Sequence, residues 1–227
     1  VVAVAGDVEP EEVAHRLGRL PLWAPPSPPP LPPLIWNGRH LTVVRPGSDQ
    51  AHARLAFPTV AAGDPAVPAL GILDRILGVG ASSRLFQRLR EDEGLTYDIW
   101  SAALLRRPGG VLEIGWASSP DLLGEIWRVV REELNRLPGS LTEEEVEVAR
   151  ESVIRGLEMD HDSPGARGVM DVSELLDHGR RYDLERLLDE IRAVTPDAVR
   201  ALAAGVLRPD TMASAVSGPE GVALQVA

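Results

Sequence analysis

Hydrophobic positions along this chain recur with two different spacings, and the change from one to the other marks the elements. Val1-Val2-Ala3-Val4-Ala5 is a continuous apolar run that predicts a strand ending at Gly6-Asp7. Pro10-Glu11-Glu12 then opens a helix through His15 and Leu17. Proline and acids suit a first helical turn, whose N–H groups lack helical partners and present positive potential. Arg39 to Arg45 and Ala51 to Pro58 read as strands. Asp64-Pro65 caps a helix to about Leu77, which Gly78-Val79-Gly80 breaks. Ser82 or Ser83 caps a second helix, Arg84 to Glu93, which Gly94 stops. Tyr97 to Leu105 and Val111 to Ser118 predict antiparallel strands joined through Pro108-Gly109-Gly110. Ser119-Pro120 opens a long helix to about Leu137, and Thr142 with Glu145 forms a capping box for the next, to about Met159. Further helices follow at Pro164 to His178, Asp183 to Ala193 and Pro196 to Val206, and a strand at Thr211 to Ser217.

Between the first helix and the strands, residues 21–33 carry proline at 21, 25, 26, 28, 29, 30, 32 and 33. Such a run packs as neither helix nor sheet and reads as an extended linker. Peptide-recognition motifs also use proline runs, but the position between two folded segments favours the linker. Val1 to Asp7 echoes Met212 to Gly218, each an apolar strand ending at or just before a glycine. The predicted organisation is therefore a terminal strand and helix of a preceding domain over 1–20, a linker over 21–33, and a second domain over 34–227. Strands and long helices in segregated runs predict an α+β fold: a largely antiparallel sheet with helices packed on one face.

Composition narrows the function. The 227 residues include no cysteine, which excludes disulfides and thiolate metal sites. A net charge of −11 argues against a nucleic-acid binder and against an anionic membrane surface. No apolar run approaches the roughly 20 residues of a membrane helix. No basic leader precedes an apolar stretch, so the expected location is cytoplasmic.

Candidate chemistry is sparse. No two of His15, His40, His52, His161 and His178 lie three or four residues apart, so no helical two-histidine metal site is predicted. Asp160-His161-Asp162 is the densest cluster of metal-ligating types and reads as a solvated helix end. There is no Gly-x-Ser-x-Gly elbow, and Gly78-x-Gly80 has Ser83 where a dinucleotide fingerprint has its third glycine. Arg90 and Tyr97 flank one chain reversal, at Gly94. A guanidinium and a phenol aimed at one point suit an anionic oxygen or a polarised carbonyl. The same two residues also fit an arginine on helix carbonyls and a tyrosine packed at a sheet rim.

The segment carrying this pair resembles the C-terminal-domain signature of the pitrilysin and insulinase family of zinc peptidases, which includes the mitochondrial processing peptidase and its bacterial relatives. The resembling residues are Gly78, Gly80, Ser82-Ser83-Arg84-Leu85-Phe86, Leu89-Arg90, Gly94-Leu95 and Tyr97, together with Val4-Ala5-Gly6-Asp7-Val8. The resemblance implies two homologous halves closing around a peptide, one holding zinc through His-x-x-Glu-His and a downstream Glu. The other half supplies an Arg and a Tyr seven residues apart, the spacing of Arg90 and Tyr97. It also assigns Gly78, Gly80, Ser82 and Ser83 to substrate binding. This chain has no His-x-x-Glu-His. The expectation is zinc in the intact protein or complex and none on this chain, with the zinc-bearing half lying upstream or on a partner subunit. The beginning of the chain within a strand-like run favours the upstream arrangement. The expected partners are that half and a peptide substrate, and a homo-oligomer stays open. A catalytically inactive scaffold of the same family is the alternative reading. An unrelated α+β domain with a chance match is a third.

Overall fold

The structure, a computed structural model, describes residues 1–20, 32 and 34–224. The linker expected at 21–33 lies outside the described residues except for Pro32. Five strands form one sheet: β1 (His40–Val44), β2 (Ala51–Thr59), β3 (Asp98–Arg106), β4 (Gly109–Ser118) and β5 (Ala213–Gly218), in the order β1-β5-β2-β4-β3. Three pairings are antiparallel; β1 with β5 is parallel. The expected α+β fold with a largely antiparallel sheet is the one observed.

Period-two alternation decides which face the helices cover. On β2, Ala51, Ala53, Leu55 and Phe57 are buried while His52 and Arg54 are exposed. The buried face lies under α2 (Val67–Leu77), α4 (Leu123–Ser140), α5 (Glu143–Asp162), α7 (Leu184–Arg192) and α8 (Pro196–Val206), with Leu70, Ile72, Leu73, Leu77, Ile126 and Leu137 filling the core. On the open face, Trp100 lies over Gly115, where a Cβ would come within 2.5 Å of the indole. The helix α6 (Pro164–His178) packs on α5.

Locally encoded boundaries sit where the sequence puts them. Thr142 and Glu145 form the complete capping box, and α6 and α8 have the predicted limits. Four expectations are corrected. Val1–Ala5 forms no strand: no described strand lies beside it, and an isolated strand leaves its backbone groups without partners. These residues lie beside α6, with Ala5 next to Gly168, while α1 (Pro10–Gly18) forms as predicted. Asp64 does not cap α2; its Oδ1 accepts from the Ala66 N–H and α2 begins at Val67. The β3–β4 turn is Arg107-Pro108, one residue earlier than expected, with Gly109 (φ +159°) already opposite Arg106. The helix predicted from Arg84 to Glu93 is α-helical only over α3 (Arg84–Phe86) and continues as a π-helix, Gln87–Asp92.

The edges of the sheet differ. On β3, the Ser101 N–H donates to the Gly78 carbonyl and the Ala103 N–H to Asp74 Oδ2. The C-terminal end of α2 thus caps an edge that would otherwise offer free N–H groups. This contact places the Gly78–Tyr97 segment against the start of β3.

Candidate functional site

The segment from Gly78 to Tyr97 is a loop, one short helix and a reversal. Gly78 is buried against β3, and a Cβ there would lie 2.5 Å from Ser101 N and 2.7 Å from Ser101 Oγ. Gly80 adopts φ +87°, a left-handed conformation that favours glycine. Ser83 occupies the N-cap position of α3 but does not cap it; its hydroxyl donates instead to the Gly80 carbonyl at 2.7 Å. Ser83 is buried, and Ser82 and Gly80 are exposed. Of the four residues assigned to substrate binding, Gly78 and Ser83 are turned inward and shape the loop, and Gly80 and Ser82 are accessible.

Three side-chain stripes run along the short helix, each a pair four residues apart. Leu85 and Leu89 are fully buried and anchor it to the core. Arg84 and Arg88 lie on one flank against acids from α4 and α5. Arg84 donates to both carboxylate oxygens of Glu145 at 2.7 Å, and to Glu133 Oε1 at 3.0 Å, Ser140 Oγ at 2.8 Å and the Ser140 carbonyl at 3.1 Å. Arg88 donates to Glu132 at 2.6 Å and Glu93 at 3.3 Å. The Glu133 side chain is only 1% exposed and is surrounded by Arg84, Arg88 and Arg136. A buried carboxylate is tolerable when its charge is matched and hydrogen-bonded in this way. A groove of about 780 Å³ lies over this network, but Arg84, Arg88, Glu132, Glu133 and Glu145 are already paired with one another. Neither Arg90 nor Tyr97 lines it.

Phe86 and Arg90 form the third stripe. The Arg90 guanidinium carbon lies 4.7 Å from the Phe86 ring centroid and 4.3 Å from that of Tyr97, so the cation sits against two aromatic rings. Its nearest carboxylate is Glu91, with Nε 3.8 Å from Oε1, beyond hydrogen-bond length. Among the described residues the guanidinium makes no hydrogen bond, in contrast to Arg84 and Arg88. The Arg90 side chain is 34% exposed and Tyr97 is 81% exposed. Gly94, at φ +62°, turns the chain back, and the Leu95 N–H closes the reversal on the Leu89 carbonyl at 2.8 Å. Buried Thr96 then fixes the start of β3 by donating to the Ala117 carbonyl at 2.6 Å.

The pair predicted from sequence is thus brought together at the reversal. Phe86 does not share the buried stripe of Leu85 and Leu89; it lies beside Arg90, only partly buried. The Arg84–Glu133–Glu145 network was not foreseen, because its acids lie 49 and 61 residues away. No group of three or more His, Asp or Glu side chains among the described residues could hold a metal. No helix among them is long and apolar enough to cross a membrane.

Comparison with known proteins follows the same lines. The family profile described as "Peptidase M16 inactive domain" matches residues 1–153. A protein of Mycobacterium leprae named "uncharacterized zinc protease" is 34% identical over 230 residues, covering 96% of this chain and 51% of that protein. One of the same description from Mycobacterium tuberculosis is 34% identical over 183 residues, covering 80% of this chain and 41% of its own length. The chain thus spans about half the length of these relatives. The crystal structure of a peptidase M16 inactive domain from Pseudomonas fluorescens has the same fold, with a TM-score of 0.73 and 22% identity over 86% of this chain and 47% of that one.

Proposed function

The chain belongs to the peptidase M16 inactive-domain family, and from that premise we propose that it is the non-metal half of a zinc peptidase, presenting Arg90 and Tyr97 to a bound peptide. Zinc chemistry belongs to the other half: among the described residues no group of His, Asp and Glu side chains fits a metal ion. The contribution of this chain is binding and orientation.

The observation that carries the reading is the contrast among three arginines of one short helix. Arg84 and Arg88 are consumed by carboxylates, whereas the Arg90 guanidinium is held by rings and makes no hydrogen bond among the described residues. Aromatic faces attract the cation without occupying its in-plane donors. The exposed Tyr97 hydroxyl adds a donor on the same ridge. Such a pair suits a peptide carbonyl oxygen, and suits it better as negative charge develops there during addition to the carbonyl carbon. Gly80 and Ser82, accessible at the head of the segment, extend the contact surface for the peptide backbone; Gly78 and Ser83 hold the loop that carries them.

Tyr97→Phe in the protein assembled with its zinc-bearing half tests the role. Losing one such donor costs about a hundredfold in kcat, with KM changed less than about twofold. Because Tyr97 is exposed, thermal stability should stay unchanged. Full turnover in Tyr97→Phe refutes the assignment. An assembly that cleaves no peptide at all points to a scaffold subunit.

A further inference from the structure

We propose that Phe86 is a positioning residue for the Arg90 guanidinium, an inference that rests on the reading of Arg90 as substrate-facing. The guanidinium has no hydrogen-bonding partner among the described residues and only a loose ion pair with exposed Glu91, Nε to Oε1 3.8 Å, so ring contact is what chiefly holds it. Of the two rings, Tyr97 is 81% exposed and stands at the end of a reversal. Phe86 is partly buried, follows the fully buried Leu85, and is on the same helix as Arg90, four residues before it. Phe86 is therefore the fixed wall and Tyr97 the outer one.

Arginine has many rotamers, and an arginine that must meet a developing charge works best when already held in place. Once Phe86 no longer offers a ring face, the nearest opposite charge is Glu91, 3.8 Å from Arg90 Nε and exposed to solvent. The guanidinium would turn toward that carboxylate and leave the ridge it shares with Tyr97. The consequence falls on transition-state contact more than on ground-state affinity, because a flexible peptide still finds the rest of the surface.

The test uses the full-length protein assembled with its zinc-bearing half and a set of fluorogenic peptides. Phe86→Leu keeps apolar bulk and removes the ring; it should lower kcat about fivefold with KM within about twofold. Phe86→Tyr should restore kcat to within about twofold of wild type. In an Arg90→Met background, Phe86→Leu should have no further effect on kcat, since the residue it positions is gone. Equal losses in both backgrounds, or no rescue by Tyr, mean that Phe86 acts only on folding, and overturn the inference. A normal kcat in Phe86→Leu beside a depressed one in Arg90→Met overturns this inference alone. A normal kcat in Arg90→Met removes the parent reading, and an assembly without peptide cleavage removes both. If Phe86→Leu does not fold, Phe86→Met carries the same comparison.

Discussion

Gly78→Ala separates a structural glycine from a substrate-touching one. The added methyl would lie 2.5 Å from Ser101 N, 2.7 Å from Ser101 Oγ and 2.8 Å from Ser101 Cβ, where ordinary contact begins at 3.4 Å. Two of these neighbours are tied to the backbone of a strand and cannot rotate away. Relief requires the end of α2 and β3 to part by about 0.9 Å, an overpacking strain of about 1–3 kcal/mol. The same seam carries the Ser101 N–H to Gly78 carbonyl bond at 3.3 Å and the Ala103 N–H to Asp74 bond at 3.1 Å. Losing either adds about 1 kcal/mol, and the reduced freedom of the unfolded chain returns somewhat less than that. The expected net destabilisation is about 3 kcal/mol, a Tm lowered by about 6–12 °C for a domain of this size. Urea and thermal unfolding followed by circular dichroism measure it. Gly205→Ala on α8 is the control: nothing lies within 4 Å of its added Cβ, so it should be neutral or stabilising by up to about 1 kcal/mol. If Gly78→Ala matches Gly205→Ala in stability, the steric argument is wrong. Lost activity at unchanged Tm would point to direct peptide contact instead.

The two flanks of the short helix should respond oppositely. Arg84→Met leaves buried Glu133 and partly exposed Glu145 without their shared cation and should cost about 3 kcal/mol in urea unfolding; Arg90→Met should cost less than about 1 kcal/mol and act on turnover instead. Acid should loosen the same network. The Arg84 guanidinium, assisted by the Thr142 N–H, holds Glu145 below the ordinary 4.5, at about 2, against the opposing effect of partial burial. A carboxylate whose pKa is depressed by folding stabilises the fold above about 4.5, and that contribution is lost as pH falls toward about 2. Glu145→Gln should flatten stability across this window in pH-dependent urea titrations, and an unchanged slope counts against the pairing. Asp74, whose carboxyl burial pushes up despite its bonds from Ser101 and Ala103, works in the opposite sense and favours the fold on protonation.

How much of this was legible depended on the range of the signal. The capping box at Thr142 and Glu145 and the proline-led helices α6 and α8 are set by contacts within a few residues, and the sequence predicts them closely. Val1–Ala5 shows the limit: apolar composition signals a strand-forming segment but not whether a neighbour exists to complete it. Ser83 shows another, because a serine before a helix can cap it or donate backwards, and the Gly80 carbonyl was the better-placed acceptor. The parallel β1–β5 pairing and the acids around Arg84 are long-range contacts with no local trace. Arg90 and Tyr97 were legible because their convergence needs only one short helix and one reversal at Gly94, both written in contiguous sequence.

The same division explains why one arginine of the helix is available. Arg84, Arg88 and Arg90 are chemically identical, and nothing in their residue type distinguishes a structural cation from an exposed one. The distinction comes from α4 and α5, which bring Glu132, Glu133 and Glu145 to one flank. Arg84 and Arg88 bind there, and Leu85 and Leu89 seat the middle of the helix in the core. With two of three stripes immobilised, the third has a fixed base, and Arg90 rises from it beside Phe86 and beneath Tyr97. An exposed charge on a flexible loop would be reorganised by water at each encounter. In the proposed role, a cation carried on a doubly anchored helix would be oriented before a peptide arrives, which is the condition under which a hydrogen-bond donor favours a developing charge over the ground state. The ion network and the candidate site are thus one structure, and Arg84→Met should disturb the pose of Arg90 without touching it.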